Sequence, residues 1–231
     1  MNSPRNRPLK PTQHAREQLL TSILSGEYPP GSALPAERVL AEQVGVTRPT
    51  LRENLQSLAR EGWITISHGR ATTVNDYWAQ GGLSLLSTMA KYAEYLPAGF
   101  VTQLLELRVV MIPAFARIAC RRNVAALTDY LSRAVQLPDD PRAFAEYDWG
   151  LQELMARVSE NRIFPLMLND FAYLFKTMAV FYFAEEKGRN SSRTYYANLL
   201  SAMQKSEEDV ERVVRDVMEE SIRIWREVSN T

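Results

Sequence analysis

Residues 47–52 read Thr-Arg-Pro-Thr-Leu-Arg, which places two arginines four positions apart and two hydroxyls in the same short stretch. On a helix, Arg48 and Arg52 share a face, and Thr47 and Thr50 offer their hydroxyls from the same turn. A guanidinium can fork onto O6 and N7 of guanine, a contact worth about 1–3 kcal/mol of discrimination, while threonine bonds a phosphate or packs on a thymine methyl. Those four form the expected base-reading set. Arg38, upstream, suits a phosphate or the groove edge, and His68 and Arg70 suit a minor groove. At the far end of the chain, Ser221 falls on an apolar helical stripe one turn before Trp225, in a region rich in Phe, Met, Leu and Tyr that can offer a long apolar chain a tunnel. A serine in such a place also commonly bonds its own helix backbone.

The arginines read DNA only if a helix starts at Thr47, and the flanking residues predict one. Leu19, Leu20, Ile23 and Leu24 mark a first helix that stops at Gly26 before Pro29 and Pro30. Pro35 suits the opening turn of a second, with Leu40, Ala41 and Val44 on its buried side and Gly45 at its end. Thr47 then caps a third, whose Leu51, Leu55 and Leu58 form an apolar stripe to Gly62. Two short helices joined by a tight turn are a helix-turn-helix. Residues 63–67 alternate, residues 71–74 are rich in β-branched side chains, and His68-Gly69-Arg70 turns between them, so a hairpin wing follows. The second helix of such a motif enters the major groove with its first turn toward the base edges.

From Tyr77 onward the pattern becomes long helical periodicity. Phe100, Leu104, Leu105, Arg108, Met111, Ile112 and Phe115 mark one helix, which Pro113 is expected to bend. Leu151, Leu154, Met155 and Val158 mark another, residues 164–183 are apolar nearly all round, and a last helix runs from Val210 to Val228. The predicted class is mainly α: a flexible tail at 1–8, a winged helix-turn-helix over 9–76, and an all-α bundle of about six or seven helices over 77–231.

Bulk composition fits this division. With 231 residues, 45% hydrophobic and 23% charged, the chain can build one small and one medium core. Its net charge of zero hides an asymmetry: residues 1–76 carry nine Lys/Arg against seven Asp/Glu, and the remainder 18 against 20. The excess lies on the side where phosphates would sit. No apolar run reaches membrane length and no apolar leader opens the chain, so a cytoplasmic protein with no membrane partner is expected. Cys120, the only cysteine, excludes an intrachain disulfide and a thiolate metal cluster. The bundle lacks histidine and any Gly-rich phosphate loop, and Glu146 with Asp148 and Glu185 with Glu186 read as solvated helix ends rather than catalytic pairs. No enzyme, no cofactor and no metal are expected.

The run "PPGSALPAERVLAEQVGVTRPTLRENLQSLAREGWITISHGRATTVNDYW" resembles the GntR family of regulators and, within it, the FadR subfamily, which governs fatty acid metabolism. The match is dense and nearly gap-free from Tyr28 to about Leu86, through "LPAER", "GVTR", "TLRE" and "HG". It implies operator contacts at Arg38, Thr47, Arg48, Thr50, Arg52, His68, Gly69 and Arg70. Pro49 departs from it, since a hydroxyl-bearing residue is expected there. The bundle resembles the FadR-type effector domain more loosely, through "LLELR", "ENRIFPLMLNDF", "FYF" and "ESIRIW". Relatives in the wider family hold a metal with one Asp and three His; His14 and His68 are the only histidines here. The resemblance implies an acyl-coenzyme A pocket using Leu105, Tyr182, Tyr196, Arg215, Ser221 and Trp225. Met218 stands where a glycine beside the coenzyme A moiety is expected, which turns attention to a free fatty acid or another apolar acid. The resulting expectation is a homodimer, repressor or activator, on a palindromic operator of double-stranded DNA, whose grip falls when an acyl-CoA or fatty acid fills the bundle. A regulator answering to a different small organic acid, and an acyl-thioester-binding protein or enzyme, are the alternatives.

Overall fold

The computed structural model describes residues 11–229, so the expected tail at 1–8 lies outside the described residues. The chain divides into two compact units between Leu96 and Pro97.

In the first unit, α1 (Pro11–Leu24) buries Ala15, Leu19, Leu20 and Ile23. α2 (Glu37–Val44) buries Leu40, Ala41 and Val44, and Gly45 closes it in the left-handed conformation at φ 72°. Pro35 lies two residues ahead of this helix rather than in its first turn, because Ala36 is still extended at ψ 141°. α3 (Arg48–Glu61) starts at its Thr47 cap and ends at Gly62, φ 95°, whose amide and that of Trp63 return to the carbonyls of Ala59 and Leu58. Leu51 and Leu58, both fully buried, hold α3 on the core.

The wing is β1 (Ile64–Thr65) against β2 (Thr73–Val74), antiparallel, with Ile64 opposite Val74 and Thr65 opposite Thr73. The segment read as a turn after Pro30 also pairs with it: Gly31 donates to Val74 O and Leu34 to Thr72 O, each at 2.8 Å, and Val74 donates to Ser32 O at 2.9 Å. Asn75 fastens the hairpin to the end of α3, donating to Gly62 O at 2.8 Å and accepting from Thr65 Oγ1 at 2.7 Å. α4 (Tyr77–Gln80) and α5 (Ser84–Met89) complete this unit, with the Tyr77 ring tilted on buried Trp63 at 5.2 Å.

The second unit is a bundle of α6 (Phe100–Ser132), α7 (Pro141–Val158), α8 (Ile163–Ala184), α9 (Glu186–Met203) and α10 (Glu207–Ser229). α6 packs against α7 and α10, α7 against α8, and α9 against α10. The expected disturbance of α6 falls at Asn123 (φ −154°, ψ 71°), while Pro113 stays inside the helix, buried. Asn123 then caps the second half of α6, its Oδ1 accepting from Ala126 N at 3.0 Å. Gly188 on α9 permits a close approach to α8: a Cβ there would stand 2.6 Å from Tyr182 O.

Candidate nucleic-acid face and effector cavity

Thr47 makes the first turn of α3 a surface feature. Its Oγ1 accepts from Thr50 N at 3.4 Å and lies 3.0 Å from Thr50 Oγ1, so the two hydroxyls are coupled. Arg48, Pro49 and Arg52 are exposed beside them, at the positive end of the helix dipole. Both guanidinium groups lean on one carboxylate from α2: Arg52 Nε stands 2.7 Å and Arg48 Nη2 3.9 Å from Glu37 Oε2. With each arginine side chain 58% exposed, the pair is held to one side of the helix without being buried. Arg38 bonds Glu42 within α2 at 2.9 Å. His68, Gly69 and Arg70 are exposed on the wing turn, where Gly69 takes φ 71°, a conformation that favours glycine. Among the eight residues expected at DNA, only Thr50 is half-buried; the others are exposed. Glu37, the residue that gathers Arg48 and Arg52, was missed. Its signal was an acidic side chain at the start of the helix before the turn.

In the bundle, side chains from all five helices line a cavity of about 100 Å³ that opens to solvent on one side. A concave, mostly apolar lining with a few polar groups is the usual character of a small-molecule site. Leu105, Tyr182, Ser221 and Trp225 line it, as does Met218. The Ser221 hydroxyl donates to its own helix at Met218 O, 2.6 Å away. The structure does not bring Tyr196 or Arg215 to the cavity. Adjacent residues on α9 point about 100° apart, and Tyr195 takes the cavity side while Tyr196 is buried with its ring edge on Tyr147 at 5.0 Å. Arg215 lies off the Ser221 face of α10 and bonds Glu211 at 3.0 Å and Val109 O at 3.3 Å.

A second correction concerns Asp148, expected to be a solvated helix end. It is buried in mid-α7, four residues after Phe144 and four before Gln152 on the inward stripe. Arg108, from the apolar stripe of α6, faces it at 3.8 Å and stacks on the Phe175 ring at 4.9 Å. Burial pushes the Asp148 carboxyl up against the pull of Arg108, and pushes the guanidinium down. Arginine on an apolar stripe was the available signal for this cluster. Glu146, Glu185 and Glu186 are exposed. Among the described residues no group of three or more His, Cys, Asp or Glu is placed to hold a metal, and no helix is long and apolar enough to cross a membrane.

Two consecutive parts of the chain match two family descriptions: "Bacterial regulatory proteins, gntR family" over residues 11–74 and "FadR C-terminal domain" over residues 75–231. The chain is similar to a fatty acid metabolism regulator protein of Yersinia pestis (strain Pestoides F), 37% identical over 96% of this chain and 93% of that protein. A second protein of that description, from Shewanella pealeana, is 40% identical over 89% of this chain and 86% of its own length. Among solved structures, Lar, described as controlling the expression of the Listeria monocytogenes agr system, superposes with a TM-score of 0.58 at 16% identity, covering 94% of this chain and 99% of that one. That likeness concerns the fold.

Proposed function

This chain belongs to the GntR family of bacterial regulators with a FadR-type C-terminal domain, and from that premise we propose that it controls fatty acid metabolism as a homodimer that leaves its operator when a long-chain acyl ligand fills the bundle. It is a DNA-binding transcription regulator, and its relatives are regulators rather than enzymes. The observation that carries the reading is the exposed Arg48–Arg52 pair on the capped first turn of α3. Thr47, Thr50, Arg38 and the wing tip His68-Gly69-Arg70 complete the contact set. One winged unit reads only a few base pairs, so a two-fold pair on a palindromic operator in the cytoplasm supplies the remaining affinity.

The lining supports an acyl effector. Leu105, Tyr182 and Trp225 offer apolar surface, and Ser221 can exchange Met218 O for a ligand oxygen. A hundredfold loss of DNA affinity needs about 2.7 kcal/mol of coupling, which differential contacts in such a cavity can supply. Met218 fills space three residues before Ser221 and is only 3% exposed, which favours the small head of a free fatty acid over the bulk of coenzyme A.

The test begins with selection of duplexes from a random library by the full chain, followed by gel shifts on the enriched sequence. An inverted repeat is expected, with the complex dissolving in micromolar hexadecanoic acid and less readily in its coenzyme A thioester. Enrichment without two-fold symmetry would overturn the operator reading. A complex indifferent to both compounds would overturn the effector reading.

A further inference from the structure

The cavity has one polar wall. Asp148 and Gln152 from α7, Arg108 from α6 and Tyr195 from α9 all line it. Gln152 Nε2 donates to Asp148 Oδ2 at 2.8 Å, and Arg108 faces that same oxygen. The Gln152 amide thus turns its nitrogen toward Asp148 and its oxygen away from it. Three polar atoms of this wall are buried without a hydrogen-bond partner among the described residues: Arg108 Nε, Gln152 Oε1 and the Tyr195 hydroxyl. Gln152 is 2% exposed and Tyr195 3%. Buried polar groups are almost always satisfied, and three gaps around one carboxylate mark a place where a ligand atom belongs.

The pattern of donors and acceptors narrows the ligand group. Arg108 Nε–H can only donate, Gln152 Oε1 can only accept, and the Tyr195 hydroxyl can do either. A ligand carboxylate would leave Gln152 Oε1 unpaired and add a second negative charge beside Asp148. An all-hydrocarbon chain would leave all three atoms unpaired. One neutral hydroxyl accepts from Arg108 and donates to Gln152, with Tyr195 as a third partner. Burial pushes the Tyr195 phenol up, so that it remains a neutral hydroxyl.

We propose that this wall is a subsite for a hydroxyl carried on the hydrocarbon chain of the effector, so that the bundle prefers hydroxylated long-chain fatty acids to plain ones. This rests on the reading that the cavity takes a chain-bearing ligand, and it adds a position at which that chain is read.

The test measures binding of hexadecanoic acid and of its monohydroxylated isomers, the hydroxyl moved stepwise along the chain, to the full protein by calorimetry. At least one isomer is expected to bind about tenfold or more tightly than the parent acid, as a site built to bond a hydroxyl discriminates against its absence. In Tyr195→Phe combined with Gln152→Met, the ratio of the two affinities is expected to fall to within about twofold. If hexadecanoic acid binds and no isomer exceeds it, water satisfies the wall and the proposal falls while the chain-binding reading stands. If no acid binds at all, both fall. The comparison of isomers needs no substitution, so a variant that fails to fold leaves the proposal testable.

Discussion

Arg52→Ala tests the DNA face most sharply, because the structure lets its effects on folding and on recognition be separated. Among the described residues Arg52 pairs with Glu37 at 2.7 Å, and both side chains are more than a third open to solvent, at 58% and 35%. Exposed pairs of this kind contribute about 0.2–1 kcal/mol, so the substitution should shift a urea unfolding curve by less than about 1 kcal/mol. Against an operator guanine, a bidentate guanidinium contributes about 1–3 kcal/mol, or roughly a 5- to 150-fold change in affinity. Arg52 donates its Nε–H to Glu37, so a fork through Nε and Nη2 competes with that carboxylate. Glu37→Gln should therefore act in the opposite direction, freeing Arg48 and Arg52 and removing a negative charge near the phosphates. It should tighten binding by up to about 1 kcal/mol, near fivefold. Fluorescence anisotropy on the selected duplex and on a scrambled one, at a single salt concentration, measures both. Unchanged discrimination in Arg52→Ala would refute the assignment. Glu37→Gln weakening DNA as much as Arg52→Ala would show that Glu37 itself faces the bases.

Three further outcomes are expected. Thr47→Ala removes the cap of α3 and should cost about 1 kcal/mol in chemical denaturation together with a loss of operator affinity; a silent change in both would remove Thr47 from the argument. For Glu61, burial raises the carboxyl pKa, but paired bonds from Arg16 at 2.7 and 2.9 Å more than offset it and hold the carboxyl below its ordinary 4.5. A folded pKa below the unfolded one stabilises the fold above about pH 4.5 and loses that contribution as pH falls through the folded value. The stability gap between the native protein and Glu61→Gln should thus shrink on acidification, and a gap constant from pH 6 to pH 3 would contradict it. Met218→Ala should lower bundle stability by about 2 kcal/mol, the low end for truncating a buried methionine beside an existing cavity. In the same variant, affinity for a long-chain acyl-CoA should rise relative to the free acid, as read by competition calorimetry; an unchanged ratio would clear Met218 of excluding the larger head.

The winged motif was legible because its signals are local. Thr47, Gly45 and Gly62 impose starts and stops through backbone chemistry that acts within a few residues, and Leu51, Leu55 and Leu58 mark the buried face by period alone. Ser221 and Trp225, which the family resemblance singled out, share a face of α10, and both line the cavity. Elsewhere local signals ran out. Pro113 looked like the bend in α6, yet the helix breaks at Asn123, where a side-chain cap replaces the lost backbone bond. Residues 31–34 carry turn residues and still pair with β2, since strand pairing depends on what lies opposite.

For the winged motif and for α10, the order of amino acids alone determined where helices form and which of their faces turn inward, because caps, glycines and apolar period are properties of neighbours in the chain. Only the tertiary structure decided what those faces meet. Glu37 gathers two arginines from eleven and fifteen positions away, and Asp148 meets Arg108 across forty. Tyr195, not its neighbour Tyr196, reaches the cavity. Such pairings follow from how helices rotate and pack against one another, and a charged residue on an apolar stripe, as Arg108 is, marks a buried pair without naming its distant partner.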